Sequence, residues 1–465
     1  MLFLLVSIFV ALVLYHRWSH RHHNGYPYVV SMIPYLGASF HFRHGAVRCV
    51  QNWVARHGTI FNITVLGEPL TLVADAALFP TISKHPSMSL LPLKLRMMRV
   101  GFGASSYDTL HRDVQLAISA ATRKSINGQI GRHKPSLDAI NEVSVAKLNA
   151  KLQLPPGQTT VTVYPWLNQL LFETLTDVFY GEELATPAFR ADFDAWDAKF
   201  TGLYAGIPAK WLGVEAARDR LLSHLHDYAA TGIDHLSVIV QERLQICREN
   251  GVTARDTDGH QLSFVWAMTT NTIRTCFWTL YYLQQDPSAW AAVVNEIEAA
   301  GVDGSEWRRD AVERCVLLDS AIKETLRVAL NSSAVRYALE DLTLQFPDGR
   351  SLRMKSGDGL VMQSNIGYFD AAKFEDPFTY HFDRFAVQPE LAKDFTPFGF
   401  GKYLCPGQHF ATDFVKSVLI ALARQTVICD FRGESALKHN SVGVYVPKEP
   451  LAVTMTLQRR TAPSA

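Results

Sequence analysis

The sequence predicts a mainly α protein with a minor β region, gathered into one large domain behind an apolar N-terminal segment. Three observations lead there. Helical signals run almost unbroken from about Ser136 to Ala299, and strand signals are confined to short stretches such as Thr59 to Ala74, LTLQF and RSLRM. After the N-terminal region no Pro-, Gly- or Ser-rich linker divides the chain. Its 465 residues would allow about three domains by length alone, but the missing linkers favour one.

Taken in order, Met1 to Tyr15 carries no charge and is followed by HRWSHRHH. Fifteen residues fall short of the roughly 20 that span a bilayer, yet Trp18, Arg17 and Arg21 can extend the interfacial ends. Neither a positive n-region nor a small-x-small cleavage site is visible, so an uncleaved anchor over residues 1–18 is expected. A basic, proline-bearing hinge over 19–35 and a globular domain over 36–465 come next. The positive cluster lies on the C-terminal side of the anchor, which places the globule in the cytosol.

Thr59 to Ala74 reads as two strands around a turn at Gly67-Glu68-Pro69, with Asp75 as the N-cap of the next helical turn. Asp286-Pro287 reads as a cap and first-turn proline before another helix. LTLQF and RSLRM form strands joined through Pro347-Asp348-Gly349, and a last strand is expected over Ala452 to Leu457. The long apolar helix Ser263 to Leu283 is interrupted by hydroxyl and amide groups, which back-bonding threonines in a core helix would explain.

Net charge +1 supplies no field for nucleic acid, so no such partner is expected. Six cysteines without C-x-x-C pairs favour a reducing compartment and argue against a zinc site. One of them stands apart, in Pro397 to Gly407, PFGFGKYLCPG. Gly399 and Gly401 allow backbone angles barred to other residues, and Gly407 lets the helix after it begin close against a flat ligand. Cys405 is then placed to ligate a haem iron as a thiolate, which favours O–O cleavage. The plain alternative is a buried cysteine acting as a small hydrophobe.

This string resembles the F-x-x-G-x-[RH]-x-C-x-G signature of the cytochrome P-450 haem-thiolate family, with Phe398, Gly401, Cys405 and Gly407 in register. KETLR supplies the family's E-x-x-R pair, Glu324 and Arg327, and DPFTYHFDRF supplies Arg384. The resemblance implies a cytochrome P-450 fold, haem b with Cys405 as axial ligand, no tightly bound flavin or nicotinamide, and a buried ion network of Glu324, Arg327 and Arg384 behind the haem. It also makes Ser263 to Leu283 the distal helix, with Asn271 where most members carry an acid and Thr272 as the alcohol that holds water and helps deliver protons. An amide hydrogen-bonds but does not readily supply a proton.

Trp266, Ala267, Asn271, Thr272, Phe277 and Trp278 are similar to the branch of steroid 7α- and 12α-hydroxylases and prostacyclin synthase. Two departures bear on the haem. Tyr403 stands at the Arg or His position of the loop, and the W-x-x-x-R helix is missing near YDTLHRDVQ, so Arg336, and less so Arg112, become the candidates for a haem propionate. The resemblance places a substrate pocket at Met268 and Thr269, at Asn331, Ser332 and Val335, and at Val444 and Tyr445 within Val442 to Val446. Few charges there imply a lipophilic substrate such as a sterol or terpenoid. The implied activity is a monooxygenase in the endoplasmic reticulum membrane, single-pass, fed by NADPH-cytochrome P-450 reductase, with cytochrome b5 as an optional second donor. An electron-independent peroxide isomerase or dehydratase of the prostacyclin-synthase kind is the alternative.

Overall fold

A computed structural model describes residues 24–29, 36–42, 45–106, 110, 112–132, 134–331, 333–439, 441–449 and 452–460. The anchor expected over 1–18 and most of the hinge expected over 19–35 lie outside these residues, as does Ser332. Among the described residues no helix is long and apolar enough to cross a membrane. The chain divides into two compact units, one holding residues up to Lys94 with Asn331–Phe378 and Asp394–Leu404, the other Leu95–Leu330, Thr379–Lys393 and Cys405 onward.

The first unit is built on a five-stranded sheet in the order Ile60–Val65, Glu68–Val73, Gly359–Gln363, Ser333–Ala338 and Met88–Ser89. Side chains alternate along the strands, as a period of two requires. Ile60, Val73, Leu360 and Met362 join Phe79, Leu344 and Leu352 in one apolar cluster, whereas Phe61, Ile63, Leu70, Leu72 and Val361 join another. Both faces are therefore covered, which is why these strands read as nearly continuous apolar runs. Trp53, on helix Ala46–His57, closes one face edge-on to Phe61.

The first hairpin turns at Leu66-Gly67, earlier than the expected Gly67-Glu68-Pro69. Both residues have positive φ, 50° and 83°, and Glu68 already pairs with Val65. Such a two-residue turn matches the twist of the strands, and Pro69 is tolerated near a strand start. The hairpin Leu342–Gln345 with Ser351–Met354 forms as expected, with Leu344 opposite Leu352.

The second unit is mainly helical, and four of its helices position the site: α1 (Pro187–Asp197), α2 (Ala254–Gln285), α3 (Val316–Ala329) and α4 (Gln408–Gln425). Twenty-two of the 32 residues of α2 are buried, so it is the axis of the unit and not an amphipathic surface helix. It begins nine residues before the expected Ser263. Thr253 caps it by accepting the Asp256 N–H, and its polar first turns are buried with partners, Ser106 on Asp256 and the Tyr180 hydroxyl on Gln261. Asp286 caps the next helix as expected, taking the N–H groups of Ser288 and Ala289 with Pro287 in the first turn.

A three-stranded antiparallel sheet places Thr454–Arg459 between Gln158–Thr162 and Thr426–Arg432. Gln158–Thr162 is a strand inside a region that reads as helical, and the last strand starts two residues later than expected. The Val453 carbonyl, just ahead of it, takes the Val163 N–H at 2.9 Å, beside the Thr454–Thr162 pair.

Candidate active site

The loop before Cys405 is shaped by glycine. Gly399 and Gly401 sit at φ 77° and 63°, where other residues are strained, and between them Phe400 lies parallel to Phe79 at 5.7 Å. Phe398 is half-buried. Tyr403 does not present a spare hydroxyl: its oxygen accepts from the Leu90 N–H at 3.1 Å and bonds Ser89 Oγ at 3.2 Å. Its ring instead carries the Arg336 guanidinium at 4.2 Å, and Arg336 is 3% exposed. Burial would push the Tyr403 phenol up, but the Ser89 and Leu90 hydrogen bonds with the Lys402 and Arg336 charges bring it below its ordinary value. Tyr403 thus forms a platform for a buried arginine.

Cys405 lies just ahead of α4, whose N-cap is Gly407. Burial raises its thiol, and a hydrogen bond from the Gly407 backbone opposes that shift. The positive end of an 18-residue helix also favours a thiolate at this place. Gly407 itself has an ordinary backbone, φ −89°, so conformation does not explain it. A Cβ there would point to 3.9 Å from the Cys405 sulfur. What glycine preserves is clear space beside the sulfur. A single thiol aided by an N–H and a helix terminus, with room left next to it, fits haem ligation. Among the described residues no cluster of three or more His, Cys, Asp or Glu could hold a bare metal ion.

Glu324 and Arg327 sit three apart on α3 and so share a face. Arg327 donates to both carboxylate oxygens at 2.8 Å, and Arg384 Nε donates to Glu324 Oε1 at 3.0 Å. The His381 N–H adds a fourth donor at 3.1 Å, while Arg327 and Arg384 both donate to the Thr379 carbonyl at 3.2 Å. The structure thus brings together all three residues of the expected network, with Glu324 and Arg327 wholly enclosed.

On α2 the hydroxyls of Thr269, Thr270, Thr275 and Thr279 each donate to the carbonyl four residues back, at 2.7–2.9 Å. Among the described residues Thr272 makes no such bond, leaving its hydroxyl for another partner. Asn271 is committed elsewhere. Its Oδ1 accepts the Val444 N–H at 2.9 Å, so the amide ties the helix to the C-terminal loop.

Thr269 is fully covered as well as back-bonded, Val444 is 1% exposed and Tyr445 is 3% exposed. Met268 is buried, and Asn331 and Val335 are half-buried. Arg112 is exposed at the head of helix Arg112–Ile130.

Sequence reasoning missed Arg274 and Asp197, and it named the Val442 to Val446 stretch without the contacts that hold Val442 and Gly443 in place. Arg274, one turn beyond Asn271, pairs with Asp197 at 2.7 Å and donates to the Val442 carbonyl at 3.3 Å. Gly443, at φ 72°, has no room for a Cβ, which would fall 2.2 Å from Asn271 Oδ1. The legible signal was a charge inside an apolar helix and a glycine between valines. Trp266 and Trp278 also do more than pack. Their indole N–H groups donate to Asp197 Oδ1 at 2.9 Å and to the Tyr445 carbonyl at 2.7 Å.

The family model described as Cytochrome P450 matches residues 218–451, half of the chain. "Cytochrome P450 7B1" of Mus musculus is 25% identical over 455 residues, covering 91% of this chain and 88% of that protein. "Cholesterol 7-alpha-monooxygenase" of Cricetulus griseus is 24% identical over 432 residues, 84% of each. "5-beta-cholestane-3-alpha,7-alpha-diol 12-alpha-hydroxylase" of Sus scrofa is 26% identical over 464 residues, covering 90% and 89%.

Proposed function

Because the chain belongs to the cytochrome P450 family and is a haem-thiolate monooxygenase, we propose that it hydroxylates a sterol or a similarly rigid lipophile with dioxygen and NADPH-derived electrons. The observation that carries the oxidative part is the Thr272 hydroxyl, which stands out from a row of back-bonded threonines. The sterol class rests on relatives named for sterol reactions.

Haem supplies the means to activate dioxygen once electrons arrive. The chain supplies the setting. Cys405 holds the group through a sulfur helped by the Gly407 N–H. Arg336, fixed over the Tyr403 ring, offers charge to a propionate. Thr272 holds a water through its hydroxyl and passes a proton from it, while Asn271 keeps the C-terminal loop in place. Glu324, Arg327 and Arg384 lock α3 to the Thr379–His381 segment.

An amide in place of an acid at position 271 also suits electron-independent peroxide isomerisation. The bond from Val444 accounts for that amide without invoking such chemistry, and relatives named for a reaction include hydroxylases and a monooxygenase. The proposal extends to an anchor at residues 1–18, a place in the endoplasmic reticulum membrane and electron supply from NADPH-cytochrome P-450 reductase, with cytochrome b5 as an optional second donor.

The test is reconstitution of purified protein with that reductase, oxygen and a sterol panel. Hydroxylated product that disappears when NADPH is omitted is expected. Rapid NADPH-independent conversion of an endoperoxide, with no reductase-dependent oxidation of any sterol, would overturn the reading.

A further inference from the structure

Resting on the pocket reading above, we propose that Arg274 is a positioning residue: paired with Asp197, it fixes the Val442–Gly443 tip of the C-terminal loop and so sets which ligand shapes the site accepts.

The guanidinium is buried, with both terminal nitrogens turned to protein oxygens. Its Nη2 donates to Asp197 Oδ2 at 2.7 Å, and its Nη1 faces the Val442 and Val444 carbonyls at 3.3 and 3.5 Å. The neighbouring Tyr164 phenol adds a favourable electrostatic contact. Arg274 is 5% exposed, so its charge is turned inward onto three separate segments. Its work is therefore geometrical.

Those segments are informative. Asp197 ends α1, and its other oxygen is held by Trp266 of α2. The loop is gripped by α2 at three levels, Asn271 on Val444, Arg274 on Val442 and Val444, and Trp278 on the Tyr445 carbonyl. The Tyr445 N–H donates to Ala329 at the end of α3 at 2.8 Å. The absence of a side chain at Gly443 lets the loop lie directly on Asn271. Val444 and Tyr445 are enclosed by these bonds, whereas Val442 and Gly443 remain half-buried. The anchored part of the loop is thus distinct from the part that offers surface, and Arg274 sits at the boundary.

A buried arginine that loses its carboxylate is strongly disfavoured, so the end of α1 and the loop tip cannot move independently of it. Displacement of Asp197 must be relayed to Val442 through one side chain. That coupling makes the pair a determinant of ligand shape.

The test uses haem-loaded full-length protein and two ligands whose nitrogen binds the iron and shifts its absorption band: imidazole and a triaryl-substituted imidazole. Arg274→Gln and Asp197→Asn are compared with the unaltered chain. The ratio of the two affinities should change by about tenfold or more in both variants and in the same direction. Amide exchange at Val444 and Tyr445 should accelerate in parallel, and Arg274→Lys, which can keep the ion pair, should fall between. Where Arg274→Gln fails to hold haem, the near-isosteric Asp197→Asn carries the test. An unchanged ratio in a variant that binds imidazole normally overturns the proposal, as does faster exchange with no change in ratio. Ligand binding needs no turnover, so this result stands apart from success or failure of sterol hydroxylation.

Discussion

Glu324 and Arg327 meet through two hydrogen bonds of 2.8 Å with neither side chain exposed, which makes this pair, and not a surface interaction, the fixed point of α3. Arg384 then shares Glu324 Oε1, so one carboxylate serves two guanidiniums. The two arginines are not equivalent partners, and a ranking results. Glu324→Gln leaves two buried cations facing each other and should cost about 3–5 kcal/mol, seen as haem-poor protein and a lowered urea midpoint. Arg384→Met leaves a neutral, doubly bonded Glu324–Arg327 pair and should cost distinctly less. Arg384→Met proving the more damaging would mean the third member, not the pair, organises the network.

The loop signature, the E-x-x-R pair and Arg384 were legible because each is a short pattern whose residue types answer one chemical need. Most elements were legible for a similar reason: caps such as Asp286 and hairpin alternation are local. What the sequence hid is non-local. That Asn271 bonds Val444, 173 residues away, and that Arg274 finds Asp197 depend on a loop closing onto a helix. Tyr403 shows the same limit, since its ring carries Arg336 while its hydroxyl bonds Ser89 and the Leu90 N–H. Turn position was missed at Leu66-Gly67 because a non-glycine residue occupies positive φ there, which composition does not announce.

Gly443 offers a test of the bond between helix and loop. Gly443→Ala forces a Cβ into Asn271 Oδ1 and holds alanine at φ 72°, so a loss of roughly 2–4 kcal/mol is expected. Asn271→Ala removes the clash while leaving the backbone strain. In a double-mutant cycle the two changes together should cost less than their sum by about 1 kcal/mol or more. Strict additivity would mean the loop does not rest on the amide.

Asp413, on α4, gives a pH dependence with a definite sign. Burial pushes its carboxyl up to about 6, against opposing help from the Asn141 amide, Arg309 and Lys416, while Asp138 adds to the rise. Its folded value lies above its unfolded one, so the folded state holds a proton the unfolded state releases. Ionisation at this site therefore penalises folding fully above pH ~6, and the penalty vanishes as pH falls below the unfolded value near 4. Asp413→Asn, which can still accept from Asn141, should stabilise by roughly 1–3 kcal/mol at pH 8 and by nothing measurable at pH 4. Denaturant unfolding of both proteins across that range is the measurement. A benefit that grows toward low pH would reverse the assignment.

Thr272 and Asn271 are neighbours with opposite commitments, and their alanine variants should fail differently. Asn271 is tied to Val444, so Asn271→Ala should loosen the loop and weaken substrate binding, leaving each bound turnover largely coupled to product. Thr272 has a hydroxyl not spent on the helix, so Thr272→Ala should leave binding intact and disturb the water that delivers protons. NADPH consumption would then continue while product falls and hydrogen peroxide rises, a loss of about 10²-fold or more in the product-to-NADPH ratio if the hydroxyl acts in proton transfer. The two variants are separated by measuring substrate affinity, NADPH oxidation, peroxide and product in the same reconstituted mixture. Equal coupling in the Thr272→Ala variant and the unaltered protein would remove this hydroxyl from proton delivery. Uncoupling in Asn271→Ala with normal affinity would instead return the amide to that role, against the bond that holds it to the loop.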